Sequence, residues 1–289
     1  MLQQTVNGLS VGAVYALIAV GFALIFNVLK FSNFAHGGVI TVSAYVGYFA
    51  VVKAGLGVAA AVLVAAISGG LCAVALEWLG FRRIRRSGGP LIYFFISSIT
   101  LGILLENLMT IFFGASFWAY PAELRQGSLS LMGVTIPALN LYMLATSAAT
   151  LGILVFVLYR TRIGIAIRAA ACDLTACALM GPNLDVIIAA MFFVSGALAG
   201  ISGVFLGMSY TLFPQIGQMV VKGFVAAVIG GLGSLSGAVI GAVGLGLLEV
   251  ALTATLGSDW APVLIFGVLV FFLTVRPQGV AGVLLPDKV

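Results

Sequence analysis

Apolar positions run through this chain in long, unalternated blocks, at 7–29, 35–52, 57–79, 91–113, 138–159, 186–209, 217–233, 236–256 and 260–275. A helix needs ~20 apolar residues, at a rise of ~1.5 Å each, to cross the hydrocarbon of a bilayer. Barrel strands would instead read as short segments with a polar alternate face. Backbone groups left unpaired in lipid are costly, so runs of this kind form helices. The pattern therefore predicts an all-α fold, a polytopic integral membrane helical bundle with eight to nine spans. The run at 217–233 is the weakest. It is short, carries Lys222 and ends in Gly230, Gly231 and Gly233. A re-entrant or broken helix is the alternative there.

Composition supports this division. Hydrophobic residues make up 62% of the 289, and charged residues only 7%, against about 25% charged in soluble domains. Such a chain cannot cover a water-facing surface, so the lipid bilayer is its solvent. The net charge of +5 does not point to nucleic acid, because the basic residues sit in connections between apolar runs. With the N-terminus outside and nine spans, Lys30, Arg82, Arg83, Arg85, Arg86, Arg160, Arg162, Arg168, Arg276 and Lys288 fall inside. Only Lys53, Arg125 and Lys222 fall at or near the outside. Ten against three is the bias expected of cytoplasmic loops. Residues 1–6 hold no Lys or Arg, so no cleavable signal peptide is expected.

Two connections are long. Residues 114–137 fall outside, with Trp118, Tyr120 and Pro121 as interface anchors, and 160–185 fall inside. The inner one is alanine-rich and predicts a helix from Arg168 to Met180, stopped by Gly181 and Pro182. Glycines four apart, at Gly196 and Gly200, Gly203 and Gly207, and Gly237 and Gly241, allow helices to approach closely in lipid. The alternative is that these helices slide or unwind around a pathway. His36-Gly37-Gly38-Val39-Ile40 is similar to Ser236-Gly237-Ala238-Val239-Ile240. A duplicated core and a chance match in so biased a composition both produce this.

Catalytic patterns are missing. No G-x-x-x-x-G-K-[ST] segment occurs, so the chain has no phosphate-cradling loop of its own. Cys72, Cys172 and Cys177 lack a nearby His and read as small reduced residues rather than zinc ligands. No metal site and no cofactor are expected. The single histidine, His36, stands in Asn33-Phe34-Ala35-His36-Gly37. There Asn33 and His36 are expected to cap a helix at a sharp re-entry, with proton transfer the alternative for His36. Three acids lie within apolar runs. Glu77 is expected to pair with Arg82 or to snorkel. Glu106 and Glu249 are expected to hydrogen-bond between helices, with a place on a transport pathway the alternative.

Several motifs now fall in order. They are Asn7-Gly8-Leu9 through Tyr15-Ala16-Leu17-Ile18-Ala19-Val20-Gly21, Asn33-Phe34-Ala35-His36-Gly37, Glu77 before the basic run at 82–86, and Arg168-Ala169 through Leu179-Met180-Gly181. Gly230-Gly231-Leu232-Gly233-Ser234, Glu249 and Arg276-Pro277-Gln278-Gly279 follow. In these the chain resembles, over nearly its whole length, the membrane-spanning permeases of branched-chain amino acid ABC importers. The resemblance implies one transmembrane permease domain over 1–289, with a cytoplasmic coupling-helix loop at about 160–185. It implies a non-enzymatic subunit of the bacterial inner membrane that works by alternating access. Its partners would be a second homologous permease, two cytoplasmic ATPases and a periplasmic solute-binding protein. The ATPase would dock on Ala171, Leu174, Cys177 or Ala178, and Gly181, which recur at helical spacing. Cys172, Cys177, Pro182 and Glu106 depart from the residues usual in such permeases, where Gln is typical in place of Glu106. Relatives serving urea, short amides and other small acids share this pattern. The rival reading is a self-sufficient channel or secondary transporter for a small solute, with Glu106 or Glu249 as coupling site.

The basic bias sets a first test. A membrane-impermeant thiol reagent added to intact cells should leave Cys172 and Cys177 unlabelled, and should label at least one of them in inverted vesicles. Labelling from outside would reverse the orientation.

Overall fold

A computed structural model of the chain describes residues 2–121, 127–131, 134–276 and 278–281. Arg125, Pro277 and Lys288, used above, lie outside the described residues. The architecture is a helical bundle. In order come α1 (Leu2–Leu29), α2 (Ala35–Val52), α3 (Val58–Leu76), α4 (Arg82–Arg86) and α5 (Leu91–Phe113). A two-stranded antiparallel hairpin follows, β1 (Ser128–Leu131) against β2 (Val134–Pro137). Then come α6 (Ala138–Arg160), α7 (Arg162–Cys172), α8 (Leu174–Leu179), α9 (Leu184–Ser209), α10 (Val220–Gly230), α11 (Leu235–Leu256) and α12 (Trp260–Val275). Among the described residues seven helices are long and apolar enough to cross a membrane, and Ile216–Gly230 and Trp260–Val275 are shorter apolar helices.

Three local features differ from the sequence reading. The third span does not stop near residue 79. A π-turn at Glu77–Phe81 carries α3 directly into the arginine helix α4, and such a bulge takes up extra residues without breaking the helix. The inner loop is helical from Arg162, six residues earlier than expected, and it breaks at Asp173. Asp173 is extended (φ −156°, ψ 113°), and its Oδ1 accepts from the N–H groups of Thr175 and Ala176. It therefore starts a second helix rather than continuing the first. The hairpin within 114–137 carried no clear sequence signal.

The connection from α1 to α2 folds back into the bundle. Lys30 ends α1 in the left-handed region (φ 58°). The Phe34 N–H then donates to Ser98 Oγ of α5 (3.2 Å), and His36 lies against Gly21 of α1. Gly21 is eight residues before Leu29, or ~12 Å at the helical rise. So α2 begins deep in the bundle, not at its edge. The weak seventh run meets it there. Residues Ile216–Met219 form a 3-10 turn before the 11-residue α10, and the Gly217 N–H donates to Thr41 Oγ1 of α2 (3.0 Å). The 3-10 turn and α10 run on without interruption as one short apolar helix, Ile216–Gly230, ~22 Å at the helical rise against a ~30 Å hydrocarbon core. The seventh run is thus a helix too short to cross the core by itself.

Glycine seams hold the long helices together. A Cβ at Gly200 would meet the Ala65 carbonyl oxygen of α3 at 2.1 Å, and one at Gly196 would meet the Gly69 oxygen at 2.3 Å. Gly203 lies as close to Ile40 of α2, and Gly237 and Gly241 lie against α10. In lipid no hydrophobic force draws helices together, so this backbone-to-backbone approach is itself the source of packing.

The seams predict a contrast in stability. Gly200→Val should lower the unfolding temperature of the detergent-solubilised protein by several degrees or prevent its accumulation. Gly152→Ala, where an added Cβ meets nothing within 4 Å, should leave it unchanged or slightly raised. Equal behaviour of the two variants would remove the seam from this account.

Candidate functional site

Inside the bundle, Asn33 and His36 take different roles. Asn33 is buried and its Oδ1 accepts from the Ala35 N–H (3.2 Å), at the start of α2. The N-cap position is Phe34, which makes no side-chain cap bond, so Asn33 serves the helix start from one residue before it. His36 does not cap. Its ring lies on Phe22 (centroids 5.3 Å apart), with Nδ1 3.4 Å from Ser195 Oγ of α9, and Nε2 is buried without a hydrogen bond. Ser195 in turn donates to the Gly21 carbonyl (3.0 Å). The side chain points away from the α2 backbone because the helix starts deep, where α1 and α9 face it. Among the described residues no group of three His, Cys, Asp or Glu could hold a metal ion.

At the end of the bundle where α1 stops, arginines of α4 form an ion cluster. Arg85 pairs with Glu77 Oε1 (2.8 Å) and with Asp185 Oδ1 (2.8 Å), Arg86 pairs with Asp185 Oδ2 (2.6 Å), and Arg82 pairs closely with the same Asp185 oxygen. The expected partner of Glu77 was Arg82. The π-turn between them rotates α4 so that Arg85 faces Glu77 instead. Asp185 was not singled out from sequence. Its signal was there, in Asn183 capping a helix whose first turn carries an acid. The cluster ties α3–α4 to the start of α9.

Beside this cluster lies the α7–α8 loop. Thr161 caps α7 by accepting from the Gly164 N–H (3.1 Å). The apolar stripe read from the sequence turns out to face inward. Cys177 is only 4% exposed, and Ala171 and Leu174 pack against the core. Of that set, Ala178 and Gly181 are exposed. A stripe at helical spacing seeks the nearest apolar surface, which is this chain's own bundle. The large apolar side chains that α8 presents outward are Leu179 (85% exposed) and its neighbour Met180 (86%). Among the thiols Cys172 is exposed and Cys177 buried, so Cys172 carries the labelling test. A 520 Å³ cleft lies between α1, α6, α7 and the start of α11, with Arg168 and Ala171 on its wall.

Two acids remain, in the opposite half of the bundle. Glu106 of α5 is half-buried and lies near the Gln218 side chain, in the 3-10 turn before α10. Glu249 of α11 forms an ion pair with Lys222 of α10, Oε1 to Nζ 2.5 Å. The Lys222 ammonium also lies over the rings of Tyr15 (5.7 Å) and Tyr210 (6.0 Å). From the sequence Lys222 was only a blemish in an apolar run, because its partner is 27 residues away. The pair borders a 490 Å³ cavity.

Comparison with known proteins gives this geometry a context. The chain is 34% identical to the high-affinity branched-chain amino acid transport system permease protein BraD of Pseudomonas aeruginosa, covering 97% of this chain and 95% of that one. It is 33% identical to the permease protein LivH of the corresponding system in Escherichia coli, with the same coverage. A solved structure, PsaBC from Streptococcus pneumoniae in complex with Fab, superposes with a TM-score of 0.52 at 16% identity, over 96% of this chain and 92% of that one. That likeness bears on the fold alone. Residues 4–273 match the family described as branched-chain amino acid transport system, permease component. The chain is a multi-pass membrane protein that belongs to this permease family.

Proposed function

We propose that this chain is one of two similar permeases in an ATP-driven importer of branched-chain or closely related amino acids in the bacterial inner membrane. Two cytoplasmic ATPases and a periplasmic solute-binding protein would complete the assembly. The family match over residues 4–273 carries this reading, together with near end-to-end similarity to named permeases of such systems. ATP chemistry would reside on the partners, in keeping with the missing phosphate-binding motif.

The geometry supports a route for coupling. Leu179 and Met180 stand out from α8 at its junction with α9. A partner that grips them moves the start of α9. Asp185 at that start is held by three arginines of α4, so α3 moves with it. Gly196, Gly200 and Gly203 lock α9 to α3 and α2 without intervening side chains. Displacement of a short helix is thereby passed as rigid-body motion to the spans. The irregular stretch before the short helix at 216–230 and the deep start of α2 are the joints about which a pathway can open.

Two experiments test the reading, both by uptake of radiolabelled leucine into vesicles holding the reconstituted complex. Leu179→Arg combined with Met180→Arg should abolish ATP-dependent uptake while the chain still inserts in the membrane. Leu174→Arg, whose side chain packs inward, should instead lower the amount of folded protein. Normal uptake with both exposed residues replaced would remove α8 from the coupling route. Glu106→Gln should retain most of the uptake, because interhelical hydrogen bonds in membranes average only ~0.6 kcal/mol and the amide keeps an acceptor. Loss of uptake in Glu106→Gln, with uptake by the parent driven by a proton gradient rather than ATP, would favour the secondary transporter.

A further inference from the structure

The Lys222–Glu249 pair is hard to explain as a device for stability. Both side chains are largely withdrawn from solvent, at 22% and 12% exposed, and opposite charges in such surroundings seldom stabilise a fold more than apolar residues would. Lys222 stands inside the helical run that begins at Ile216, with apolar residues on both sides of it in the sequence. The pairing is incomplete as well. Glu249 accepts from Lys222 through Oε1, while its Oε2 is buried with no hydrogen bond. The Tyr15 hydroxyl lies near that carboxylate without closing a bond of good geometry. A buried carboxylate oxygen that accepts no hydrogen bond calls for an explanation.

The 490 Å³ cavity beside the pair is within the range of small-molecule sites, roughly 300–1,000 Å³. It is walled by Gln4 and Asn7 of the first turns of α1 and by Ser258 after α11. These lie at the end of the bundle opposite the arginine cluster, so the cavity opens there. Glu249 is seven residues before the end of α11, which places it ~10 Å in from that end.

We propose that Lys222 and Glu249 form a zwitterion-selective gate, a site for the α-ammonium and α-carboxylate that all free amino acids share. A ligand carrying both charges opens the pair by exchange. Its carboxylate takes Lys222 Nζ, and its ammonium takes Glu249, including the unused Oε2. No charge is left unpaired. A solute with one charge satisfies one partner and strands the other, and a stranded buried charge is strongly unfavourable. Discrimination by such a group exceeds what an apolar pocket achieves. The apolar wall of Val11, Val250 and Ala261 would receive the ligand side chain, and the solute-binding protein would choose among side chains. This proposal rests on the importer reading for its amino-acid substrate.

The test uses the assembled importer in membrane vesicles, with a cysteine reporter at Ala254→Cys in the cavity wall. Its rate of reaction with a membrane-impermeant thiol reagent is compared with that of the parent chain. L-Leucine should slow the reaction several-fold. 4-Methylpentanoate, which lacks the ammonium, and 3-methylbutylamine, which lacks the carboxylate, should not. Adding Glu249→Gln or Lys222→Gln should remove the protection by leucine. The exchanged pair Lys222→Glu with Glu249→Lys should keep the chain folded, as judged by gel filtration. ATP-dependent uptake of leucine is measured in parallel. Protection by alanine or another α-amino acid, without leucine uptake, would support the gate and overturn the branched-chain reading. Leucine uptake without protection, or equal protection by the singly charged analogues, would overturn the gate and leave the importer reading standing.

Discussion

Lipid cannot hydrogen-bond a peptide group, and the rest of this structure follows from that constraint. The bundle departs from regular helix at two places within its depth, the climb from Lys30 to Asn33 and the stretch at 210–219. Backbone groups in and beside them find partners within the protein, although Lys30, Tyr210, Gln215 and Gln218 are exposed. Phe34 donates to Ser98, Asn33 accepts from Ala35, and Gly217 donates to Thr41. Leu212 and Trp118 exchange both backbone bonds, at 2.8 and 2.9 Å. Irregular backbone at membrane depth is tolerated only where its polar groups are satisfied in this way. Gly217 of the second segment lies against Gly37 and Thr41 in the first turns of α2, just past the first segment.

A second consequence is that helices must touch through their backbones. The glycines of α9 bring α3 and α2 within direct contact of its main chain. Contact of this kind is stiff, since no side-chain rotamer lies between the helices to absorb displacement. The same seams that stabilise the fold therefore make α9 a good lever. Its first turn carries Asp185, and three arginines hold that one carboxylate. In the ion cluster Glu77 and Asp185 share three arginines, whereas Lys222 and Glu249 form a single pair, and ionisable residues within a span are commonly functional.

Much of this was legible in the sequence. Span positions, the weakness of the run at 217–233 and the role of Asn33 at the start of α2 all follow from local pattern, because hydropathy and capping act over a few residues. The outward face of the inner loop was not. Ala171, Leu174 and Cys177 form an apolar stripe whichever partner they meet. Only the packed bundle turns that stripe inward and leaves Leu179 and Met180 outside. Glu77 was matched to Arg82 by counting along a helix, and the π-turn changed the count.

By itself, then, the sequence determined that the chain lives in lipid, where its helices run, and which family its motifs resemble. These depend on composition and on order along the chain. Tertiary structure decided which charges meet. Lys222 and Glu249 are on different helices, as are Arg82 and Asp185, and no local rule links them. It also decided that α2 starts deep in the bundle, where Gly21, Ser98 and Gly217, drawn from three distant segments, meet it. Partners far apart in sequence are chosen by the approach of backbones, and a one-dimensional pattern carries no record of that approach.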